Sequence, residues 1–428
     1  MIKLNHKMVP LEGHIEVPGD KSMSHRAIML ASLAEGTTVI TNFSSGEDNL
    51  RTIAAFKQLG ITIERKDSTV YVHGKGIDNL QEPPQPIYFG NSGTTARLMI
   101  GLLAGLPLFS TVYGDESLSN RPMRRVVRPL EQMGAVIDGR KNGAYLPIAI
   151  KGTELTGIRY ELPVKSAQVK SALLLAGLCA RGEMTIIEKT KTRDHTEKML
   201  QAFGVDLSID QQTIRMKGQQ KLSATNIYIP GDISSSAFFL VAAAIVPGSR
   251  LTLKNVHLNH TRTGILDILM KMGSELKITN KQTKNGEMFG DIHITYRPLQ
   301  GTVIAGDIIP RLIDEIPIIA LLATQASGTT IIKDAEELKV KETDRLHAIV
   351  TVLSTLGANI QNTEDGMIIH GKTSLHGGDV SSYHDHRMAM MIVVASFITE
   401  GDIWIDDLSS INISYPTFFD DLHQLMEK

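Results

Sequence analysis

Five segments of this chain share one pattern, in which an amphipathic helix ends at a glycine and continues into an extended run. The glycines are Gly60, Gly134, Gly204, Gly273 and Gly357, spaced roughly 70 to 85 residues apart, and a sixth copy of the helix occupies 415–428. A supersecondary unit repeated at a nearly fixed period determines the architecture that a chain can adopt. The spacing therefore predicts about six copies of one unit.

Each unit also contains an earlier helix that is apolar almost all round, as in RAIMLASLAEG (26–36) and AFFLVAAAIVPG (237–248). A helix without a polar face is normally buried inside a domain. Strand-like runs precede these helices, among them HIEVPG (14–19) before the first and NIYIPG (226–231) before the fourth. Each unit thus reads strand, helix, strand, helix, strand, strand, which is typical of an α/β protein.

Six such units exceed the size at which a single hydrophobic core stops growing, so we predict two lobes of three βαβαββ repeats each. The sixth unit lacks its last two strands, while strand-like pieces around 2–4 and 14–17 lie unassigned at the N-terminus. We therefore expect an N-terminal lobe of 20–232, with repeats 1–3, and a C-terminal lobe of 1–19 plus 233–428, with repeats 4–6. The chain would cross between the lobes twice.

Composition excludes several classes of protein. The net charge of −2 provides no overall basic field for nucleic acid, and the single cysteine, Cys179, excludes an intramolecular disulfide. The apolar runs are shorter than the roughly 20 residues of a membrane span, and no apolar leader is visible. We expect a cytoplasmic protein, and nothing in the sequence demands more than a monomer.

Two histidine pairs, His257 with His260 and His384 with His386, have a spacing that could serve a metal ion. No carboxylate–cysteine set accompanies either pair, so solvated or hydrogen-bonded histidines are the favoured interpretation. We predict neither a metal nor another cofactor.

Cations recur at the starts of the predicted helices: Lys21, Arg26, Arg121, Arg124, Arg193, Lys341, Arg345 and Arg387. Ser, Thr, Asn and Asp at these positions are ordinary N-caps. A cation, however, has the wrong sign for the positive end of a helix dipole. Arginine and lysine there indicate a site for a strongly anionic ligand.

Two acids, Asp314 and Glu342, lie among these cations in the fifth unit. Inward-pointing carboxylates would repel an anionic ligand, whereas a proton-transfer reaction would need them. The alternative is that they pair structurally with Lys341 or Arg345, and the sequence leaves both possibilities open.

Seven ordered motifs, PGDKSMSHR, GNSGTTARL, RPM, SAQVKSALLLAGL, RLIDEIP, KETDRL and DHRMAM, together resemble the 5-enolpyruvylshikimate-3-phosphate synthase family from about residue 13 to residue 420. The resemblance implies the two-lobed enolpyruvyl-transferase fold with a double chain crossover. It also implies transfer of the enolpyruvyl group of phosphoenolpyruvate to the 5-hydroxyl of shikimate 3-phosphate, with release of phosphate, on the pathway to chorismate and aromatic amino acids.

By the same resemblance, shikimate 3-phosphate would be bound by Lys21, Ser22, Arg26, Ser166, Ala167, Gln168, Arg193, Asp314 and Lys341. Phosphoenolpyruvate would be bound by Lys21, Gly93, Arg121, Gln168, Arg345 and Arg387. The catalytic residues would be Lys21, Asp314 and Glu342: Asp314 would accept the hydroxyl proton, Glu342 would protonate the vinyl carbon, and Lys21 would stabilise the departing phosphate.

The chain departs from the family near its C-terminus, where Ile413 or Ser414 stands in place of a lysine that many members carry. That contact is absent or supplied elsewhere. The motifs RDHTE (193–197), SAQVK (166–170) and NHTR (259–262) resemble the subgroup that is often less sensitive to the inhibitor glyphosate.

Two other functions fit parts of this pattern. The related UDP-N-acetylglucosamine enolpyruvyl transferases share the fold but place a reactive cysteine on a mobile loop, whereas Cys179 lies within an apolar helix. A non-catalytic sugar-phosphate binder would have no use for Asp314 and Glu342 at its site.

Overall fold

The computed structural model describes residues 1–4 and 9–426 of the chain. After strands β1 (Ile2–Leu4) and β2 (Glu12–Ile15), the first half forms α1 (Lys21–Leu33), β3 (Ala34–Thr41), α2 (Glu47–Gln58), β4 (Thr62–Lys66), β5 (Thr69–Lys75), β6 (Ile87–Tyr88), α3 (Gly93–Ala104), β7 (Phe109–Tyr113), α4 (Glu116–Ser119), α5 (Arg124–Gln132), β8 (Val136–Gly139), α6 (Arg140–Gly143), β9 (Tyr145–Lys151), β10 (Arg159–Glu161), α7 (Ala167–Cys179), β11 (Glu183–Ile187), α8 (His195–Ala202), β12 (Leu207–Asp210), β13 (Thr213–Lys217), β14 (Leu222–Ser223) and β15 (Ile227–Tyr228).

The second half forms α9 (Ile233–Ile245), β16 (Arg250–His257), α10 (Gly264–Lys271), β17 (Glu275–Lys284), β18 (Glu287–Thr295), β19 (Leu299–Gln300), β20 (Val303–Ile304), α11 (Ile309–Leu312), α12 (Ile316–Thr324), β21 (Ala326–Ile332), α13 (Arg345–Thr355), β22 (Asn359–Asn362), β23 (Met367–Gly371), β24 (Leu375–Val380), α14 (His386–Ala395), β25 (Thr399–Ile405) and α15 (Phe418–Met426). Short 3-10 turns cover Ile77–Asn79, Gly306–Ile308, Glu336–Val340 and Ser409–Ile413.

The chain forms two compact units. The N-terminal unit comprises Gly19–Ile229 with Lys284–Gly286, and the C-terminal unit comprises the described residues of Met1–Pro18, Pro230–Thr283 and Glu287–Lys428. Their main chain crossings thus lie between residues 18 and 19 and between residues 229 and 230. None of the helices formed by residues 1–4 and 9–426 has the length and apolar character that a membrane crossing requires.

Each unit contains three small mixed sheets among its described residues. In the N-terminal unit their strand orders are β14-β3-β5-β4, with β15 also on β3, β6-β7-β9-β8, and β10-β11-β13-β12. In the C-terminal unit they are β17-β18-β16-β2, β19-β21-β23-β22, with β20 also on β21, and β1-β25-β24. The apolar helices α1, α3 and α7 of one unit and α9, α12 and α14 of the other are buried along most of their length. The α/β repeat architecture predicted from the sequence is confirmed.

Two strands join a sheet in one unit although the helix that follows them belongs to the other unit. HIEVPG precedes α1, yet β2 pairs in parallel with β16 of the C-terminal unit at Leu253↔Ile15. NIYIPG precedes α9, yet β15 pairs in parallel with β3 of the N-terminal unit at Ile227↔Ile40. Local sequence pattern specifies that a segment is extended but not which edge strand it joins.

The five glycines of the repeat all end their helices in the left-handed region, with φ between 85° at Gly60 and 100° at Gly273. After each glycine, the next backbone N–H donates to the carbonyl five residues earlier, as from Val205 to Leu200 at 3.0 Å. This is the Schellman arrangement, in which a glycine satisfies the last carbonyls of a helix at no steric cost. The predicted helix stops are confirmed.

Gly204→Ala should lower the free energy of unfolding by about 1 to 2 kcal/mol, because alanine resists positive φ. A methyl group at Gly204 would meet no atom within 4 Å, so the backbone conformation alone (φ 88°) is tested. Gly204→Asn is the matched control, since asparagine tolerates this region better and should cost less. Urea unfolding of the three proteins checks the order, and equal stability of the alanine and glycine proteins would contradict it.

Candidate active site

The first cationic cluster lies at the start of α1 in the N-terminal unit. Asp20 caps the helix by accepting from the Met23 backbone N–H at 2.8 Å, so Lys21 occupies the first helical position. The Lys21 ammonium is 3.1 Å from an Asp48 oxygen, and its side chain is 15% exposed. The pairing with Asp48 fixes a lysine that still reaches solvent.

Arg26 lies one turn further along α1 and is 4% exposed. Its Nε donates to the Thr196 hydroxyl at 2.6 Å, and its Nη2 donates to the Ser171 hydroxyl at 2.7 Å. A third bond runs from Nη1 to the Ser22 carbonyl at 2.9 Å. These three hydrogen bonds hold the guanidinium in one place beside the starts of α7 and α8.

The start of α3 forms a second group. Gly93 follows the N-cap Ser92, and a Cβ at Gly93 would lie 2.8 Å from Arg97 Nη1 and 3.3 Å from Arg121 Nη1. Only a glycine lets these two guanidinium groups approach the helix start so closely. Arg97 Nη1 donates to Gln168 Oε1 at 2.7 Å, and Gln168 Nε2 donates to the Thr94 hydroxyl at 3.0 Å.

Arg121 is held by the loop that precedes α3. Its Nη2 donates to Asn91 Oδ1 at 2.5 Å and to the Ser117 hydroxyl at 3.0 Å, and its Nη1 donates to the Asn91 carbonyl at 3.2 Å. The side chain is 5% exposed. The group at α3 thus places two buried arginines beside one glycine.

A buried histidine connects the starts of α1, α2 and α3. His25 Nδ1 is 2.7 Å from the Thr52 hydroxyl, which is 2.7 Å from the Thr95 hydroxyl, which in turn is 2.7 Å from the Ser92 hydroxyl. Burial, reinforced by the charges of Lys21 and Arg26, lowers the pKa of His25 well below 6.5. The ring therefore stays neutral and adds no further positive charge to the cluster.

The depressed pKa of His25 predicts acid sensitivity. The unfolded chain takes up a proton on this ring as the pH falls below about 6.5, whereas the folded chain does not, so stability is lost in that direction. The loss from pH 7 to pH 5.5 should be about 1 kcal/mol from this group alone. In His25→Gln this loss of unfolding free energy between pH 7 and pH 5.5 should disappear. In His73→Gln, whose ring is 41% exposed, the loss should persist. Urea unfolding at the two pH values measures both, and an unchanged slope in His25→Gln would contradict the assignment.

The C-terminal unit has its own centre at Arg345, the first residue of α13. Its guanidinium forms a two-point ion pair with Asp385, Nε to Oδ2 at 2.7 Å and Nη2 to Oδ1 at 3.2 Å, and both side chains are buried. Nη2 also donates to Glu342 Oε2 at 2.6 Å, and Nη1 lies 3.4 Å from Asp314 Oδ1. Burial opposes the charge, yet the carboxylates of Asp385 and Glu342 hold the pKa of Arg345 above its ordinary value. Arg345 is thus a permanent cation with three acids around it.

Asp314 and Glu342 are therefore brought together by one arginine. Lys341 Nζ approaches Asp314 Oδ1 at 3.5 Å, which gives Asp314 a second cationic neighbour. The side chains of Asp314 and Glu342 remain 14% and 19% exposed, in contrast to the fully buried Asp385. The structural pairing that the sequence left open is present, and it leaves both carboxylates within reach of a ligand.

Arg387 differs from Arg345 in having no acid beside its guanidinium among the described residues. It follows the N-cap Asp385, whose carboxylate accepts from the Arg387 backbone N–H at 2.8 Å. Its side chain is only 7% exposed, and within residues 1–4 and 9–426 no hydrogen bond or ion pair satisfies its guanidinium. A buried, unpaired arginine is costly unless an anion completes it.

The segment that carries Ile413 and Ser414 lies beside α14, the helix that begins near Arg387. Ser409–Ile413 form a 3-10 turn, Ser414 is buried, and the Tyr415 hydroxyl donates to Asp421 at 2.7 Å. Burial raises the pKa of Tyr415 well above 10, so this hydroxyl stays protonated and supplies no charge.

Sequence reasoning missed several residues in these clusters. Arg97 and Lys170 are the cations of two otherwise apolar helices, and Asp385, Ser171 and Thr196 directly contact predicted site residues. A lone cation within an apolar helix was the signal in the sequence that could have identified Arg97 and Lys170.

The remaining predicted residues lie at or near helix starts. Ser166, Ala167 and Arg193 are half-buried at or next to the starts of α7 and α8, while Arg124 is 46% exposed and pairs with Glu131.

The chain is similar to known proteins of one family. The family model for EPSP synthase (3-phosphoshikimate 1-carboxyvinyltransferase) matches residues 6–422. The 3-phosphoshikimate 1-carboxyvinyltransferase of Oceanobacillus iheyensis is 58% identical over 417 residues, covering 97% of each chain. The protein of the same name from Bacillus subtilis is 56% identical over 423 residues, covering 99% of each.

Solved structures of related proteins have the same fold as this chain. An EPSP synthase from Acinetobacter baumannii has a TM-score of 0.88 and 43% sequence identity, covering 99% of this chain and 97% of that one. The enolpyruvyl transferase NikO from Streptomyces tendae has a TM-score of 0.80 at 16% identity and covers 99% of this chain. At that identity the second likeness concerns the fold alone.

Proposed function

Because the chain belongs to the EPSP synthase (3-phosphoshikimate 1-carboxyvinyltransferase) family, it transfers the enolpyruvyl group of phosphoenolpyruvate to shikimate 3-phosphate, and we propose that the clusters described above carry out that reaction. The reaction joins the 5-hydroxyl oxygen of one substrate to C2 of the other while C3 gains a proton. The resulting tetrahedral adduct then loses a proton from C3 and its phosphate group. Each step moves a proton or develops charge on a phosphate, so acids and cations are the groups that it needs.

Shikimate 3-phosphate is assigned to the cluster around Arg26 in the N-terminal unit. Arg26, Lys21 and Ser22 share the first turns of α1, and Arg26 contacts the starts of α7 and α8 through Ser171 and Thr196. The half-buried Ser166, Ala167, Gln168 and Arg193 lie at those same helix starts. Helix starts favour a phosphate through their N–H groups, and Lys21, Arg26 and Arg193 add positive charge beside them. In the C-terminal unit, Asp314 and Lys341 are assigned to the ring hydroxyls.

Phosphoenolpyruvate is assigned to Arg121, Arg345 and Arg387, together with Lys21, Gly93 and Gln168. The observation that carries this assignment is Arg387. The residue is only 7% exposed, its guanidinium has no hydrogen bond or ion pair among the described residues, and an anion such as a carboxylate or a phosphate would complete it. The glycine at 93 leaves room beside Arg121, which donates to Asn91 and Ser117, and Gln168 and Lys21 complete the set in the N-terminal unit. Arg345 uses four of its five N–H donors on carboxylates, which leaves one Nη1 donor for the substrate.

Proton transfer is assigned to Asp314 and Glu342. Asp314 accepts the proton of the attacking hydroxyl, since two cations stabilise its carboxylate. Glu342 delivers a proton to C3 and removes one again when phosphate leaves. Lys21 offsets the charge that develops on the departing phosphate.

Arg387→Met tests the phosphoenolpyruvate assignment. Truncating one partner of a buried charge-assisted contact costs about 2 to 5 kcal/mol, so we expect KM for phosphoenolpyruvate to rise thirtyfold or more. Arg387→Lys should recover part of the loss, because it restores the charge but not the fork. Arg181→Met, at a 69% exposed position, is the matched control and should leave both KM values unchanged.

Phosphate release, assayed with each substrate alone and with both, provides the measurement. Release that does not require shikimate 3-phosphate would contradict the function itself. Release that requires both substrates, with an unchanged KM in Arg387→Met, would contradict only the role of Arg387.

A further inference from the structure

Lys170 is a fully buried lysine that the reaction described above does not use. It lies in the first turn of α7, and its ammonium is 2.9 Å from Glu188 Oε2 and 2.5 Å from Glu197 Oε1. The three side chains are 0%, 6% and 2% exposed. We call Lys170, Glu188 and Glu197 the buried triad.

The buried triad joins three pieces of backbone. Lys170 belongs to α7, Glu188 follows β11, and Glu197 lies in the first turn of α8. Glu188 Oε1 also accepts from the backbone N–H of Thr192 at 3.1 Å and from the Thr192 hydroxyl. The loop between β11 and α8, which carries Arg193, is therefore held by the same carboxylate that pairs with Lys170.

A second connection lies directly beside the first. Ser171, the residue after Lys170, is 2.7 Å from the hydroxyl of Thr196, the residue before Glu197. These two hydroxyls are also the acceptors for Nη2 and Nε of Arg26. The α7 and α8 starts are thus linked by an ionic contact and by a hydroxyl contact, and Arg26 is held by the second.

Stability alone does not require such a triad. Replacing a buried ion pair by apolar side chains of similar size is often neutral or even stabilising. The pair instead fixes one relative placement of α7, α8 and the loop that carries Arg193. Burial opposes the ammonium, but the two carboxylates keep the pKa of Lys170 above its ordinary value, so the lysine stays protonated. Burial raises the pKa of Glu197 in turn, and the charge of Lys170 opposes that rise.

We propose that the buried triad positions Arg26 and Arg193 for the phosphate of shikimate 3-phosphate. The inference rests on the proposed function, and it adds three positioning residues that do not touch the substrate. It also explains why SAQVK and RDHTE occur together in this sequence: the last residue of each motif is one half of the same ion pair.

The test replaces the whole triad with neutral groups of similar length in Lys170→Met/Glu188→Gln/Glu197→Met, because Glu188 would otherwise remain buried without its cation. If the triad positions the two arginines, the folded variant should show a KM for shikimate 3-phosphate at least tenfold above wild type. Its KM for phosphoenolpyruvate should stay within twofold. A merely structural role would lower the melting temperature or the active fraction without this split between substrates. A folded variant with both KM values within twofold of wild type would overturn the proposal.

A milder variant provides a test if the protein with the combined triad substitution does not fold. Thr192→Val removes the hydroxyl that holds the loop to Glu188 and keeps the side-chain shape. We expect KM for shikimate 3-phosphate alone to rise threefold or more. Thr185→Val, a buried threonine of β11 in the same unit, is the control and should change neither value. An unchanged KM in Thr192→Val would overturn the proposal.

Calorimetric binding of shikimate 3-phosphate distinguishes the positioning role of the buried triad from the proposed function of the protein. If wild type and the triad variants bind and turn over this substrate equally well, only the positioning role is contradicted. Wild type that neither binds nor turns it over contradicts the proposed function and the positioning role with it.

Discussion

Glu342→Gln is expected to lower kcat by about two to four orders of magnitude, the range in which a positioned acid or base contributes to catalysis. Glutamine keeps the side-chain length and can still accept the 2.6 Å hydrogen bond from Arg345. The substitution therefore removes a proton donor while leaving the surrounding contacts in place. KM for either substrate should change far less than kcat.

Solvent deuterium provides a second measurement on the same variant. If Glu342 carries protons to and from C3, wild type should exchange the C3 protons of phosphoenolpyruvate with solvent in the presence of shikimate 3-phosphate. Glu342→Gln should lose this exchange in parallel with phosphate release. Glu336→Gln, at an exposed position in the preceding 3-10 turn, is the matched control. Undiminished release or exchange by Glu342→Gln would contradict the role of this acid.

Arg345→Met is expected to lower the free energy of unfolding of the C-terminal unit by about 3 to 5 kcal/mol. The arginine is the described cationic partner of Asp385, whose side chain is fully buried, and it also contacts Glu342 and Asp314. Its removal would leave a buried carboxylate without a compensating charge. Arg345→Met/Asp385→Asn should recover part of the loss, because the neutral amide costs less to bury.

The single tryptophan makes this measurement specific. Trp404 lies on β25 in the C-terminal unit, so its fluorescence during urea unfolding follows the unit that contains Arg345. Arg297→Met removes a surface ion pair with Glu275, at 54% exposure, and should cost less than about 1 kcal/mol. Equal stabilities of the Arg345→Met and Arg297→Met proteins would show that the buried ion pair contributes no more than a surface one.

Periodicity predicted the repeat because it reflects local physics. A glycine after an amphipathic helix marks a left-handed helix end whatever surrounds it, and all five such glycines adopt positive φ. Helices without a polar face are buried, as in α9, where every residue is inaccessible to solvent or nearly so. These features need no knowledge of distant contacts.

Pairing between distant segments was harder to predict. The strand character of HIEVPG and NIYIPG was evident, but their partners, β16 and β3, depend on the topology of the whole chain. The buried triad escaped notice for a related reason: Lys170 and Glu197 are far apart in sequence, and each alone resembles an ordinary polar residue near a helix start. Such ionic contacts become visible only when the packing that removes them from water is known.

The pairing of β1 with β25 also constrains the order in which the protein can fold as it is synthesised. Lys3 faces Trp404 across this pair, so roughly 400 residues must emerge from the ribosome before the first strand meets its partner. The N-terminal unit, by contrast, has nearly all its residues once the chain has been translated to residue 229. Only the short Lys284–Gly286 segment follows later. Strand β1 therefore waits for a partner that is made about 400 residues later, and during translation it must remain available without pairing elsewhere.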